Sequence, residues 1–427
     1  LEEAGVISGS TVVRKRGERI GVVGATTPAL PTISSPRNVV VDEDVAGNIQ
    51  EEVDALSDRG IDKVILISHL QSVEEDRALA GMLRNVDIMI AGGGDELLAN
   101  EGDVLVPGDE GEDEDGDGVP DNIFGPYPLI EEDANGREVP IVTTPGNYKY
   151  VGALKVGFNR RGRVIRIQKS SGLQRVAGGD QPDAVDPNGR IQRWVVEPVT
   201  EALAQLAATV VATTEVPLNG VRLNVRTEET NLGNLIADAF LTQADKLNES
   251  FGAPQPDIAI QNGGGIRNDS VIPAGDLTEL DTFDMLPFGN FLAISEDVDP
   301  ALFLAQLEQC VSNIEAVDGR FCQVSGFSFT YDLQAPAGQR VISAELDDGT
   351  VMVAGGEVAP TAEPLLNIAM SAFSANGGDG YPVGSQPFTT LGQTDQQTLR
   401  DFLVDDLGGV VTAADYPAAG EGRITEQ

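Results

Sequence analysis

The run Val-Ile-Leu-Ile at residues 64–67 constrains this fold most: four consecutive apolar residues make a strand buried on both faces, as in the middle of a parallel sheet. Its surroundings agree. A short apolar strand at 20–24 ends in Gly24, and a helix at 48–57 carries Ile49, Val53 and Leu56 at helical spacing before Gly60 closes it. Beyond the central strand, Ser72 and Glu75 form a capping box for a helix bearing Leu79, Met82 and Leu83. The next strand, Ile88–Ile90, runs into three glycines at 92–94. Strands alternating with helices in this order predict a layered α/β sheet, whose ligands sit at the carboxyl ends of the strands, where His69 and Asp95 lie. Two or three further strands are expected in 139–168, where apolar and polar residues alternate.

With 427 residues the chain has room for two or three domains. Gly, Pro and Asp punctuate 171–198, and a helix at 198–208 follows, so 171–210 reads as a linker and interdomain helix between a domain at 1–170 and a second α/β or α+β domain at 211–427. No apolar run reaches the roughly 18 residues of a membrane span. Leu1 is not followed by a charged and then apolar leader, which predicts either a removed signal peptide or a chain cut further downstream; the motifs below favour the second. The formal net charge of −40, from 68 acidic and 28 basic residues, excludes nucleic acid and anionic membranes as partners. Only six of the basic residues are Lys, and such acid-rich, Lys-poor surfaces suit high salt, pointing to a marine or halophilic source. Against this background, clustered arginines carry information. The two cysteines, Cys310 and Cys322, are either two buried thiols or a disulfide; their short spacing favours the disulfide, which implies an oxidising compartment.

Three segments could carry chemistry. In Gly-Val-Arg-Leu-Asn-Val-Arg at 220–226, Arg222 and Arg226 precede a helix capped by Thr230, with Leu232, Leu235, Ile236, Ala239 and Phe240 on one face. Guanidinium forks beside the positive end of a helix dipole make an anion site; a solvated pair of arginines is the plainer alternative. In Gln-Asn-Gly-Gly-Gly-Ile-Arg at 261–267, glycines including Gly264 let the backbone approach a ligand, and their amides could cradle an anion beside Asn262 and Arg267, although a glycine triplet is often only a turn. Phe288, in Leu-Pro-Phe-Gly, and Phe373, in Ala-Phe-Ser-Ala-Asn-Gly-Gly-Asp-Gly-Tyr, could stack on the two faces of a base, with Asp379 accepting from a ribose hydroxyl; singly, either ring could equally be core.

Together, in this order, the three segments resemble the C-terminal substrate-binding domain of the 5′-nucleotidase / UDP-sugar hydrolase family over about residues 200–427. The resemblance implies that Arg222, Arg226 and Arg267 bind phosphate with Asn262 and Gly264 nearby, that Phe288 and Phe373 sandwich the base, and that Asp379 holds the ribose. Residues 1–170 resemble the second half of the same family's calcineurin-like metallophosphatase domain, a layered β-sandwich with helices. Val-Ile-Leu-Ile-Ser-His-Leu at 64–70 matches a strand ending in a metal-binding His, which makes His69, the single His of the chain, the candidate ligand. The family's Gly-His-x-His-like motif is replaced by Ile-Ala-Gly-Gly-Gly-Asp at 90–95: Gly93 stands at the first His, and Asp95, an oxygen ligand, at the second. The remaining ligands of a Mn- or Zn-type metal pair, and the catalytic groups, are then expected before Leu1, with no catalytic residue in this chain. The activity implied is metal-dependent hydrolysis of nucleotide phosphomonoesters or related phosphoesters by an extracellular, periplasmic or cell-surface protein. The missing segment could remain associated as a separate chain, and Gly93 favours the alternative of a non-catalytic nucleotide-binding protein with a degenerate metal site.

A separate feature lies at 110–122. Asp113, Asp115, Asp117, Gly118 and Asp121 match positions 1, 3, 5, 6 and 9 of a calcium loop, with the carbonyl of Val119 as a further ligand. Position 12 is Phe124, so the bidentate Glu of an EF-hand is missing. Calcium is expected here, against the alternative of an acidic, solvated loop.

Overall fold

A computed structural model describes residues 7–30, 39–109, 111, 122–360 and 365–427. Asp113, Asp115, Asp117, Val119 and Asp121 of the acidic loop lie outside the described residues. The chain divides into two compact units: residues 7–30 with 39–189, and residues 190–427.

The first unit is built on a six-stranded sheet in the order Ser10–Lys15, Glu18–Thr26, Val64–His69, Ile88–Ile90, Glu138–Val142, Leu129–Glu132. Its four inner strands are parallel, and an antiparallel strand closes each edge. Helices Val45–Asp58 and Val73–Met82 start where the sequence offers caps: Asp44 accepts from the amide of Gly47, and Ser72 from that of Glu75 at 3.3 Å. Their apolar stripes, Ile49, Val53, Leu56, Leu79 and Leu83, pack with Val23, Val64, Leu66, Met89 and Ile141 of the sheet. Met82, expected on that stripe, is 62% exposed instead, because the helix turns its last residue outward. Residues 139–168 hold four strands, Glu138–Val142, Tyr150–Ala153, Val156–Phe158 and Val164–Ile167. The expected linker begins inside this unit: Gly172–Arg175 pairs with Tyr150–Ala153, and Arg175 forms an ion pair with Asp183. Helix Glu197–Ala208 belongs to the second unit.

The second unit centres on a five-stranded sheet in the order Cys322–Ser325, Ile258–Asn262, Leu366–Ser371, Phe291–Val298, Phe388–Thr394. Both of its faces are buried. Ala259, Leu292, Ile294 and Ala369 face helix Asn231–Phe251, whose Leu232, Leu235, Ile236, Ala239 and Phe240 are all solvent-inaccessible. Ile258, Ile260, Ala293 and Ile368 face the opposite core, with Phe303 and Leu307 of helix Pro300–Cys310 and the aromatic strand Phe327–Tyr331. Alternate strand residues therefore supply two cores, and the five fully buried residues of 258–262 carry the site segment to the edge of both. Cys310 and Cys322 form a disulfide, with Cα atoms 5.3 Å apart, that ties helix to sheet.

Candidate functional site

In the second unit the arginine motif does not end at a helix N-terminus open to ligand. Residues Arg222–Val225 form one short helical turn, and the long helix starts only at Asn231. Thr230 caps it by accepting from the Gly233 amide at 3.0 Å, Gln323 accepts from the Thr230 amide at 3.1 Å, and Asn231 and Asn234 are buried. The dipole's positive end is thus enclosed by protein, and the cationic character of the region comes from guanidinium groups alone.

Those groups converge. Arg226 is 5% exposed; burial, and then the neighbouring Arg222 and Arg267 charges, bring its pKa down to about 10. One of its terminal nitrogens donates to the Val317 carbonyl at 3.2 Å, and its Nε is buried with no partner among the described residues. Arg267 is likewise lowered by burial and by Arg222, and it lies over the Phe288 ring, 5.5 Å from the centroid. Like charges held together and partly dehydrated are what a multiply charged anion relieves. Asn262 donates to Asp379 at 2.7 Å. Burial raises the Asp379 pKa, the Asn262 bond opposes that shift, and Asp318 adds to it.

The glycines act differently from a cradle. The Gly263 amide donates to the Phe321 carbonyl at 2.6 Å and the Gly264 amide to the Gly319 carbonyl at 2.8 Å, so neither is free for an anion. What the triplet supplies is close approach: a Cβ on Gly264 would sit 2.9 Å from the Gly319 Cα, and one on Gly263 2.2 Å from the Val225 carbonyl oxygen. Phe288 is 45% exposed, and Phe373 is half-buried with its ring packed on Gly378.

Residues 317–320 also reach this site, and sequence reasoning missed them. Val317 adopts φ 53°, unusual for a β-branched residue, and points its carbonyl at Arg226. Asp318 pairs with Arg320; burial raises the Asp318 pKa, but hydrogen bonds from Arg320 and Asn313 overcome this and hold it below the ordinary value. The Tyr381 hydroxyl donates to the Arg320 carbonyl at 2.8 Å. The available signal was the Asp-Gly turn dipeptide at 318–319, between the two cysteines.

In the first unit, His69 and Asp95 both line a cavity of about 1040 Å³ on the sheet face opposite the helices, with Ile65, Ile90, Gly93 and Tyr148. Ile67 and Ile90 on that face are 45% and 40% exposed. Asp95 accepts from the Gly146 amide at 3.2 Å. Gly93 has φ 98°, and a Cβ there would come within 2.6 Å of the Leu70 carbonyl oxygen. A histidine at 93 would therefore need a different loop path; more than a side chain separates this loop from a Gly-His-x-His loop. Among the described residues no group of three or more His, Cys, Asp or Glu side chains could hold a metal. One imidazole and one carboxylate do not fit a two-metal centre by themselves.

Fold and site define an α/β protein of two units, one of which bears a cationic cluster beside an amide–carboxylate pair and an exposed aromatic ring. The family profile described as 5′-nucleotidase, C-terminal domain, matches residues 210–386. The 5′-nucleotidase of Diplobatis ommata is 31% identical over 432 residues, covering 97% of this chain and 67% of that protein. A trifunctional nucleotide phosphoesterase protein of Bacillus subtilis is 30% identical over 414 residues, covering 96% of this chain and 24% of its own length. The crystal structure of a 5′-nucleotidase precursor from Thermus thermophilus superposes with a TM-score of 0.70 at 32% identity, over 99% of this chain and 75% of that one. The chain belongs to the 5′-nucleotidase family. It spans between about a quarter and two thirds of the length of these two curated relatives. No described helix is long and apolar enough to cross a membrane.

Proposed function

We propose that the second unit binds the substrate of a metal-dependent phosphoesterase that hydrolyses nucleotide phosphomonoesters. Arg222, Arg226 and Arg267 take the phosphate, Phe288 and Phe373 the base, and Asp379, oriented by Asn262, the ribose. The observation that carries this reading is the convergence of three arginines, two of them with lowered pKa values, in a chain of net charge −40. Replacing Arg226 or Arg267 with Ala is expected to weaken AMP binding by about 1.5–3 kcal/mol, the range for a charge-assisted hydrogen bond. Calorimetric affinities unchanged in both variants would sink the assignment.

His69 and Asp95 are proposed as two ligands of the metal centre, which would supply activated water when assembled; further ligands and a catalytic acid are needed to complete it. The cavity they line is the place such a centre would occupy. The path of Gly93 favours a second reading, a nucleotide-binding protein whose metal site is incomplete even in its full length. Phosphate release by the longer protein decides between the two. The disulfide supports an extracellular, periplasmic or cell-surface location. The acidic loop at 113–121 is proposed to bind calcium, and the protein should retain it after dialysis against millimolar calcium and removal of excess; metal analysis that finds none rejects the loop as a site.

A further inference from the structure

We propose that Asp395 and Gln396, adjacent at the start of helix Asp395–Asp401, are positioning residues that hold the segment carrying Phe288 from both of its ends. The inference rests on the nucleotide-site reading above and deepens it. The segment 286–290 joins helix Glu279–Met285 to strand Phe291–Val298. At its entry, the Gln396 side-chain amide donates to the Thr282 hydroxyl at 2.9 Å. Both residues are buried, at 5% and 0% exposure, so the bond is shielded from water. Thr282 in turn accepts through its carbonyl from the Leu286 amide at 3.1 Å, and the carbonyl of Met285, at the end of the same helix, accepts from the Arg267 amide at 3.0 Å. One side chain thus fixes the turn that delivers Phe288 and is linked to the phosphate-side arginine.

At the exit, the Asp395 amide donates to the Asn290 carbonyl at 3.0 Å; burial raises the Asp395 pKa, and hydrogen bonding with Asn290 opposes that shift. Asp395 is 3% exposed, and its Oδ1 is buried with no hydrogen-bond partner among the described residues. A buried carboxylate oxygen without a partner is costly, and this one lies on the residue whose amide holds the end of the loop. Between the two anchors lie Pro287, Phe288 and Gly289, all exposed, with Phe288 under the Arg267 guanidinium. Neither Asp395 nor Gln396 is open to a ligand, so their influence passes through the loop they hold.

The test is calorimetric titration of this chain with AMP and, separately, with ribose 5-phosphate, which lacks the base. Gln396→Met and Asp395→Ala are each expected to weaken AMP binding about tenfold, the effect of leaving one buried polar partner unmet, while ribose 5-phosphate affinity stays the same. Asp395→Asn, which keeps an oxygen facing Asn290, should restore AMP binding. AMP affinity in both variants unchanged from that of the unsubstituted chain, or parallel loss of both ligands, including loss by unfolding seen in thermal melting, overturns the proposal. Phe288→Ala is the control. If it weakens AMP binding while the Gln396 and Asp395 variants do not, the positioning claim fails alone. If Phe288→Ala leaves AMP affinity unchanged, the base-stacking reading itself fails.

Discussion

The two units differ in how much of a site each contains. In residues 190–427, three arginines, the Asn262–Asp379 pair and the loop at 317–320 meet around one region beside a two-sided core, with hydrogen bonds joining Arg226 to Val317 and Asn262 to Asp379. In residues 7–189, a sheet covered by helices on one face presents a large cavity on the other with two donors in it. The two proposed roles make different demands: phosphate recognition can be met by side chains of one unit, whereas a two-metal centre needs donors from several strand ends, and the cavity of the first unit offers two candidates.

The largest expected effect follows from that difference. This chain alone should release phosphate from AMP no faster than buffer with manganese, zinc or calcium added, although it is expected to bind AMP. Binding orients a nucleotide but cannot generate hydroxide at neutral pH, where water's pKa is about 15.7. Robust metal-dependent turnover by purified chain, with no companion chain on a gel, would break the comparison.

A smaller effect separates the units by their cross-link. The disulfide closes the segment that carries Val317 and Asp318 to the arginines, and the described residues of the first unit hold no counterpart. Replacing Cys310 and Cys322 together with Ala should lower the unfolding free energy of the second unit by about 3 kcal/mol, the chain-entropy value for so short a loop. Denaturant unfolding followed by Trp194, which lies in that unit, measures it; an unchanged midpoint would mean that packing alone holds the loop.

A further effect, spread over several pH units, is a dependence on pH. Burial pushes the Asp395 carboxyl up to about 7 in the second unit, and those of Asp76 and Asp87 up to about 6 in the first. A carboxyl whose pKa is raised on folding binds protons more tightly in the native state. Its contribution therefore favours the fold below the unfolded value near 4 and is lost as pH rises through the folded value. The first unit should lose stability between about pH 4 and 6 and the second between about pH 4 and 7, by no more than about 1.4 kcal/mol per pH unit for each such group. Asp395→Asn should flatten the slope for the second unit alone. Equal slopes before and after substitution would show that Asp395 does not titrate in this window.

Sequence by itself determined the local features. The strand at 64–67, the caps at Ser72 and Thr230 and the helical stripe from Leu232 to Phe240 appear where the pattern placed them, because each depends on neighbours within a few residues. The expected burial of that strand on both faces does not hold: Val64 and Leu66 face the helices, whereas Ile67 is 45% exposed on the open face. The arginines stood out as candidates because a charge cluster is conspicuous in an acidic chain, whereas Asn262 was singled out only through the family resemblance. Tertiary structure decided how they are used. It closed the helix N-terminus with Gln323, nearly 100 residues from Thr230, and engaged the Gly263 and Gly264 amides with carbonyls of residues 321 and 319. It also brought Val317 to Arg226, 91 positions away. Those outcomes depend on which strand edges and loops meet, a matter of long-range packing and backbone hydrogen-bond satisfaction that no local pattern encodes.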